Sequence, residues 1–324
     1  METSVEAELC FPLVVNASCS KTQRPHPIAT YILLSAMSLI TVTLNLLVII
    51  SISHFKQLHT PTNLLLLSLA AADLLVGFLM LFPISLLGGC WLFGDLVCVL
   101  YFVVDHSVTS ASIGSMVFIS VDRYLAICDP LCYTIKVTKT RVDISVLLCW
   151  SASFLFNCLC SMDNLKQPGR FNTCVGECVN VVSYVAGMTD LFLSFIGPIT
   201  VIVILYTRVF MVAVSHARAM HSRVGSVTLQ GPAIKSSELK AARTLGVLVV
   251  VFIVCIMPYF CVAISGQNTL LNASSATFII SMFYLNSCLN PMIYAIFYPW
   301  FRKSMKLIVT LQILKPDFQQ PNIM

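Results

Sequence analysis

Seven stretches of mostly apolar residues, roughly 28–52, 63–87, 99–127, 142–162, 183–214, 245–265 and 276–297, divide this chain of 324 residues. About 20 such residues are what an α-helix needs to cross the hydrocarbon of a bilayer. The composition agrees: 58% of residues are apolar and 10% are charged, against about 25% charged in an ordinary soluble domain. The expected fold is an all-α membrane protein, a seven-transmembrane helix bundle over residues 28–298. An N-terminal segment, 1–27, precedes it, and a short amphipathic helix with a tail, 299–324, follows.

The N-terminal 21 residues are acidic and polar with no apolar core, so no signal peptide is expected there and the first span serves as its own insertion signal. Lys and Arg are retained on the cytoplasmic side. One loop set holds Lys56, Lys136, Lys139, Arg141, Arg218, Arg223, Lys235, Arg302, Lys303 and Lys306, whereas the other holds only Lys21, Arg24, Lys166 and Arg170. The N-terminus is therefore expected outside and the tail inside a cell membrane. On that topology Cys10, Cys19, Cys98, Cys174 and Cys178 lie on the outer side, where disulfides persist, and the glycosylation acceptors Asn16 and Asn272 fall there too. Residues 299–311 read as a helix lying on the inner leaflet. Trp300, Phe301, Met305, Leu307 and Ile308 would turn to lipid, and Arg302, Lys303 and Lys306 to anionic headgroups.

Asp105 and Asp190 stand inside the third and fifth apolar stretches with no Lys or Arg placed to neutralise them. A carboxylate on a membrane helix costs about 2.5–3.5 kcal/mol on insertion scales and marks a functional site by default. The missing cation is expected to arrive as a ligand. Asp105 precedes Asp122 by seventeen residues, between four and five helical turns, so it belongs to the outer third of its span. Asp190 lies eight residues before Pro198, at similar depth. The alternative for Asp190 is a protonated carboxyl hydrogen-bonded to Thr189, Ser194 or water. His106, beside Asp105, would add pH sensitivity or merely pack.

Asp122-Arg123-Tyr124 closes the third span and Asn290-Pro291-Met292-Ile293-Tyr294 the seventh, while Asn45, Asp73, Trp150, Pro198 and Pro258 each stand in the first, second, fourth, fifth and sixth. Taken in order over essentially the whole chain, these residues resemble the rhodopsin-like (class A) G-protein-coupled receptors. The resemblance implies that Arg123 pairs with Asp122 and with Glu238 to hold a closed state, whose opening admits a heterotrimeric G protein. Tyr206, Asn290, Pro291 and Tyr294 belong to the same activation machinery, and Ile113, Pro198 and Phe252 relay motion to it. It also places Ser112, Asn286 and Ser287 around Asp73, a setting for a sodium ion or for a water cluster; no other cofactor is implied. One departure stands out. Two residues before Pro258, where most such receptors carry Trp, this chain has Ile256.

The run from Asn286 through Pro291 to Lys303, the loop His54–Asn63 and Cys174-Val175-Gly176-Glu177-Cys178 are similar to trace amine-associated receptors, the olfactory fish versions above all. That family implies Cys19–Cys174 and Cys98–Cys178 disulfides, leaving Cys10 and Cys90 unassigned. It also implies an amine ligand whose ammonium meets Asp105. Tyr284 would brace that carboxylate, Tyr259 and Phe260 would supply aromatic walls, and Thr109 would line the same pocket. With a second acid at Asp190, a diamine such as cadaverine or putrescine pairs both charges, and signalling is expected through a stimulatory or olfactory G protein to cyclic AMP. A monoamine or polyamine ligand with Asp190 neutral, a silent pseudo-receptor, and an organic-cation transporter are the alternatives. Internal repeats of the transporter kind are not seen. No metal or nucleophile constellation points to an enzyme, and membrane lipids rather than nucleic acid are the expected surroundings.

Overall fold

The structure, a computed structural model, describes residues 8–14, 17–21, 28–222, 236–265 and 273–314. Its helices are α1 (Ile28–His54), α2 (Pro61–Leu79), α3 (Leu81–Leu86), α4 (Asp95–Cys128), α5 (Pro130–Lys136), α6 (Lys139–Cys160), α7 (Met162–Lys166), α8 (Tyr184–Leu191), α9 (Gly197–Ser222), α10 (Ser236–Ser265), α11 (Ala273–Phe297) and α12 (Pro299–Val309). Six helical stretches among the described residues are long and apolar enough to cross a membrane. A shorter apolar stretch, Gly246–Val262, lies in α10. Each apolar stretch of the sequence is thus helical, with most ends within four residues of those expected; α9 runs eight residues past 214 and α10 starts nine before 245, because both helices continue into polar sequence.

Helix starts follow from local chemistry. Thr60 precedes Pro61, and its Oγ1 accepts from the Asn63 N–H at 3.3 Å. Thr138 caps α6 and Ser183 caps α8 in the same way. Such side chains satisfy amide groups that the first turn leaves without a helical partner, and Pro at the first position loses nothing there. Two spans are interrupted. Met80 separates α2 from α3, three residues before Pro83, and a π turn, Phe192–Ile196, joins α8 to α9 just ahead of Pro198. Proline lacks the N–H that a regular helix needs and clashes with the preceding turn, so local rewinding beside it is expected.

Among lipid tails apolar burial does not drive helices together, so close approach at small residues and hydrogen bonds between helices do that work. A Cβ on Gly77 would come within 2.8 Å of Val42 Cγ2, and Ser38 Oγ donates across the same seam to the Gly77 carbonyl at 2.7 Å. Asn45 Nδ2 ties α1 to α11 through the Ser287 carbonyl at 3.1 Å. Trp150 Nε1 donates to Ser68 Oγ at 3.1 Å, and Ser68 meets Ser115 at 2.9 Å, so α6, α2 and α4 share one chain of bonds.

Among the described residues two large buried clusters divide the bundle. One, around Trp91, Tyr101, Met80 and Tyr284, lies towards the end that carries the N-terminal segment. The other, around Phe55, Leu66, Met116, Phe252, Tyr294 and Phe301, lies towards the end that carries α12. This corrects the expectation for α12: Trp300, Phe301 and Ile308 are buried against the bundle rather than turned to lipid. Apolar spacing identifies the sticky face of a helix but not what covers it.

Three disulfides clamp the N-terminal end: Cys19–Cys174, Cys98–Cys178 and Cys10–Cys90. The last resolves the two cysteines that the sequence left unassigned. The N-terminal segment crosses back on itself, with Cys10 N–H donating to the Cys19 carbonyl at 2.9 Å, and Trp91 N–H donates to the Gly176 carbonyl at 2.8 Å. Gly176 takes a φ of 103° beside Cys10 Cβ, a conformation and a closeness that favour glycine.

Candidate functional site

A cavity of about 250 Å³ opens between α3, α4, α8, α10 and α11, and Asp105 and Asp190 both stand in its wall. His106, Thr109, Tyr259, Phe260 and Tyr284, the other side chains expected around a ligand, line it as well. Among the described residues no Lys or Arg does. One largely apolar chamber therefore brings two carboxyl groups together with His106 and, among the described residues, with no Lys or Arg.

Asp105 is 9% exposed. Its Oδ1 accepts from the Tyr284 hydroxyl at 3.4 Å, and that hydroxyl lies 3.2 Å from the Tyr101 hydroxyl. The tyrosine pair orients the carboxylate without neutralising it. Asp190, half-buried, accepts from Ser194 Oγ at 2.7 Å through Oδ1, and Ser194 reaches Ser110 on α4 at 3.5 Å. Thr189 takes no part, since its hydroxyl is spent on the Val185 carbonyl. His106 Nδ1 lies 2.7 Å from the Phe102 carbonyl of its own helix, so that nitrogen carries the proton and the ring is held by packing and one bond.

Aromatic rings wall the chamber. Phe260 stacks on Phe195 with centroids 4.3 Å apart, and Tyr259 meets Phe283 at 4.8 Å. A cation held against such faces gains roughly 0.5–2 kcal/mol. Tyr101, Ser110 and Phe283 were not read from the sequence as lining residues, and Ser194 was expected only as a hydrogen-bond partner of Asp190. Helical spacing was the available signal for two of them: Tyr101 is four residues from Asp105, and Ser194 four from Asp190.

Below the chamber, Ile256 is 3% exposed and belongs to the same buried cluster as Ile113 and Phe252, while Pro198 stands in the first turn of α9. Asp73 is fully buried. Its Oδ2 accepts from Asn290 Nδ2 at 2.7 Å and its Oδ1 from Ser112 Oγ at 3.4 Å, and Ser287 hydrogen-bonds it too. Among the described residues the buried oxygens Asn286 Oδ1, Asn290 Oδ1 and Tyr294 Oη make no hydrogen bond. The Asp73 carboxylate with the Ser112 and Ser287 hydroxyls and the Asn290 side chain is a donor set that a hard monovalent cation or water fits.

At the far end, Arg123 pairs with Asp122 at 2.5 Å, both side chains buried. Two partners had escaped the sequence reading. Thr62 Oγ1 lies 2.7 Å from Arg123 Nη2 and donates to Asp122 Oδ2 at 2.9 Å, and the Tyr133 hydroxyl of α5 donates to Asp122 Oδ1 at 2.8 Å. Burial pushes the Tyr133 hydroxyl up to about 12, so it remains a donor at any physiological pH. Tyr124 packs with Ile127 and Val209, and Tyr206 lies against the lower core. The Glu238 side chain, Asn16 and Asn272 lie outside the described residues.

Residues 44–294 match the family model described as "7 transmembrane receptor (rhodopsin family)". The chain is 38% identical to trace amine-associated receptor 13c of Danio rerio, covering 98% of this chain and 96% of that receptor. It is 40% identical to trace amine-associated receptor 1 of Mus musculus (89% and 90% covered) and 36% identical to trace amine-associated receptor 4 of the same species (97% and 95% covered). These relatives are receptors, not enzymes. The chain belongs to the rhodopsin family of seven-transmembrane receptors and, within it, to the trace amine-associated receptors.

Proposed function

We propose that this receptor binds amines at the cell surface and prefers a diamine, of the cadaverine or putrescine kind, with one ammonium on Asp105 and the other on Asp190. The observation that carries this reading is the single chamber walled by both carboxylates and, among the described residues, by no Lys or Arg. A monoamine would leave one acid desolvated and unpaired, which is costly, whereas two cations compensate both. The names of the relatives, all trace amine-associated receptors, supply the amine. A second reading, a monoamine or polyamine ligand with Asp190 neutral, draws on the hydrogen bond that Ser194 already gives Asp190.

In this reading the N-terminus is extracellular, glycans sit on Asn16 and Asn272, and a sodium ion shares Asp73 with Ser112, Asn286 and Ser287. Agonist binding loosens the Arg123 lock, with Glu238 as its further partner, and a stimulatory or olfactory G protein raises cyclic AMP in olfaction. The test is a cyclic-AMP reporter assay on cells expressing the receptor, with monoamines and diamines of graded chain length. A diamine optimum at one chain length is expected. A response that ignores the second amine, or labelled-diamine uptake without cyclic AMP, would reject the reading.

Ile256 bears on how binding is reported. Trp at this buried position adds volume to the cluster that also holds Phe252 and Ile113, and overpacking costs about 1–3 kcal/mol. If the closed packing bears about 1 kcal/mol more of that strain than the open one, basal cyclic AMP rises about fivefold. Ile256→Trp is therefore expected to raise basal or agonist-driven signalling; an unchanged or lower response at equal surface expression would sink the idea.

A further inference from the structure

A second cavity, about 140 Å³, lies on the outside of the bundle at the α12 end, between α2, α4, α5 and the start of α6. Its walls are apolar, formed by Leu65, Phe118, Val121, Leu125, Val137 and Val142. Its mouth is basic: Lys136 and Arg141 line it, and Ser145 adds a hydroxyl. Both basic side chains are exposed. Lys136 is ion-paired with Asp129 at 2.7 Å, which offsets its charge, so Arg141 supplies the net positive charge of the mouth; its Nη1 donates to the Ile135 and Lys136 carbonyls at 3.0 and 3.1 Å. Carbonyl bonds orient the guanidinium but leave its charge in place. The acid within the cleft, Asp122, is turned to Arg123, Thr62 and Tyr133.

We propose that this cleft is a binding site for an anionic phospholipid, with an acyl chain along the apolar walls and the phosphate on Arg141 and Lys136. Charge and shape both point to an amphiphile. A soluble anion has no use for the walls, and a neutral lipid has none for the basic mouth. Arg presents a fork of donors suited to phosphate, and basic groups beside a bilayer favour anionic headgroups. The orientation proposed above would put the cleft in the inner leaflet, where such lipids concentrate, but binding itself depends neither on that orientation nor on the amine reading. The occupant would bridge α5, which carries Tyr133 onto Asp122, to α6. Lipid binding would thereby brace the Arg123 lock from outside the bundle.

The test uses the purified full-length receptor in a neutral detergent, with affinity measured for dioctanoyl phosphatidylserine, dioctanoyl phosphatidylcholine and inorganic phosphate. The parent is expected to bind phosphatidylserine about fivefold or more tighter than phosphatidylcholine. Lys136→Gln with Arg141→Gln should bring the two lipids within about twofold of each other. Ser145→Phe keeps both charges but fills the cleft, and should weaken both lipids. Lys139→Gln, the same single-charge loss as Arg141→Gln but outside the cleft, should behave as the parent. Thermal unfolding in the same detergent reports folding, and Arg141→Gln alone carries the charge arm if the double variant does not fold. Equal binding of both lipids by the parent, or loss of preference in Lys139→Gln as great as in the double variant, would overturn the proposal. So would displacement of phosphatidylserine by inorganic phosphate with Ser145→Phe unaffected, since that describes a charged patch without a cleft.

Discussion

Asp105→Asn is expected to raise the half-maximal concentration for every active amine by about 100-fold or more. Truncating one partner of a buried, hydrogen-bonded charge pair costs about 2–5 kcal/mol, and about 1.4 kcal/mol is tenfold. Asp105 sits at the demanding end of that range. It is 9% exposed, its described hydrogen bond is a long one from Tyr284, and among the described residues no Lys or Arg lines the chamber to share the load of the ligand's ammonium. Asn is nearly the same shape and can still accept from Tyr284, so the bundle should fold and reach the surface. The measurement is a cyclic-AMP dose-response at matched surface expression. A loss under about tenfold would mean that the ammonium is held elsewhere.

Asp190→Asn should divide the ligands instead of weakening all of them. A diamine loses its second ion pair, whereas a monoamine is relieved of an acid it could not pair. Asp190 is less buried than Asp105, so the diamine loss is expected at about 10–100-fold, with monoamines unchanged or slightly improved. Asn retains an oxygen for Ser194, which keeps the local hydrogen bond. Dose-responses for a diamine and for the monoamine of equal carbon number give the ratio directly. An intact chain-length preference in Asp190→Asn removes the two-acid arrangement while leaving the amine receptor standing.

Hydrophobic length is a local property, which is why the spans could be read so closely: the seventh was expected at 276–297 and α11 runs Ala273–Phe297. The membrane acids were legible for a related reason, since a charge with no neighbour of opposite sign stands out in one dimension. What escaped depends on distant partners or on backbone detail. Cys10 and Cys90 are separated by 80 residues, and nothing near either names the other. α5 did carry a signal, Pro130 at a helix start after Asp129, but seven residues are too few to form a periodic pattern. Tyr133 on Asp122 followed from that missed helix. For α12 the apolar face was correct and its covering was not, because lipid and protein core are both apolar.

The π turn between α8 and α9 has one further meaning. Such a turn takes an extra residue relative to an α turn, so the flanking helices keep a bearing that a continuous α-helix of the same length would not have. Each α-helical residue advances the side chain by about 100°. Asp190 lies outside the turn, on α8, while the residues that anchor the span in the bundle lie beyond it, on α9. Which residue of α8 looks into the chamber is therefore decided by chain length as much as by residue type. Among relatives, gaining or losing a single residue here offers an evolutionary route to a different ligand that a comparison of substitutions alone would overlook.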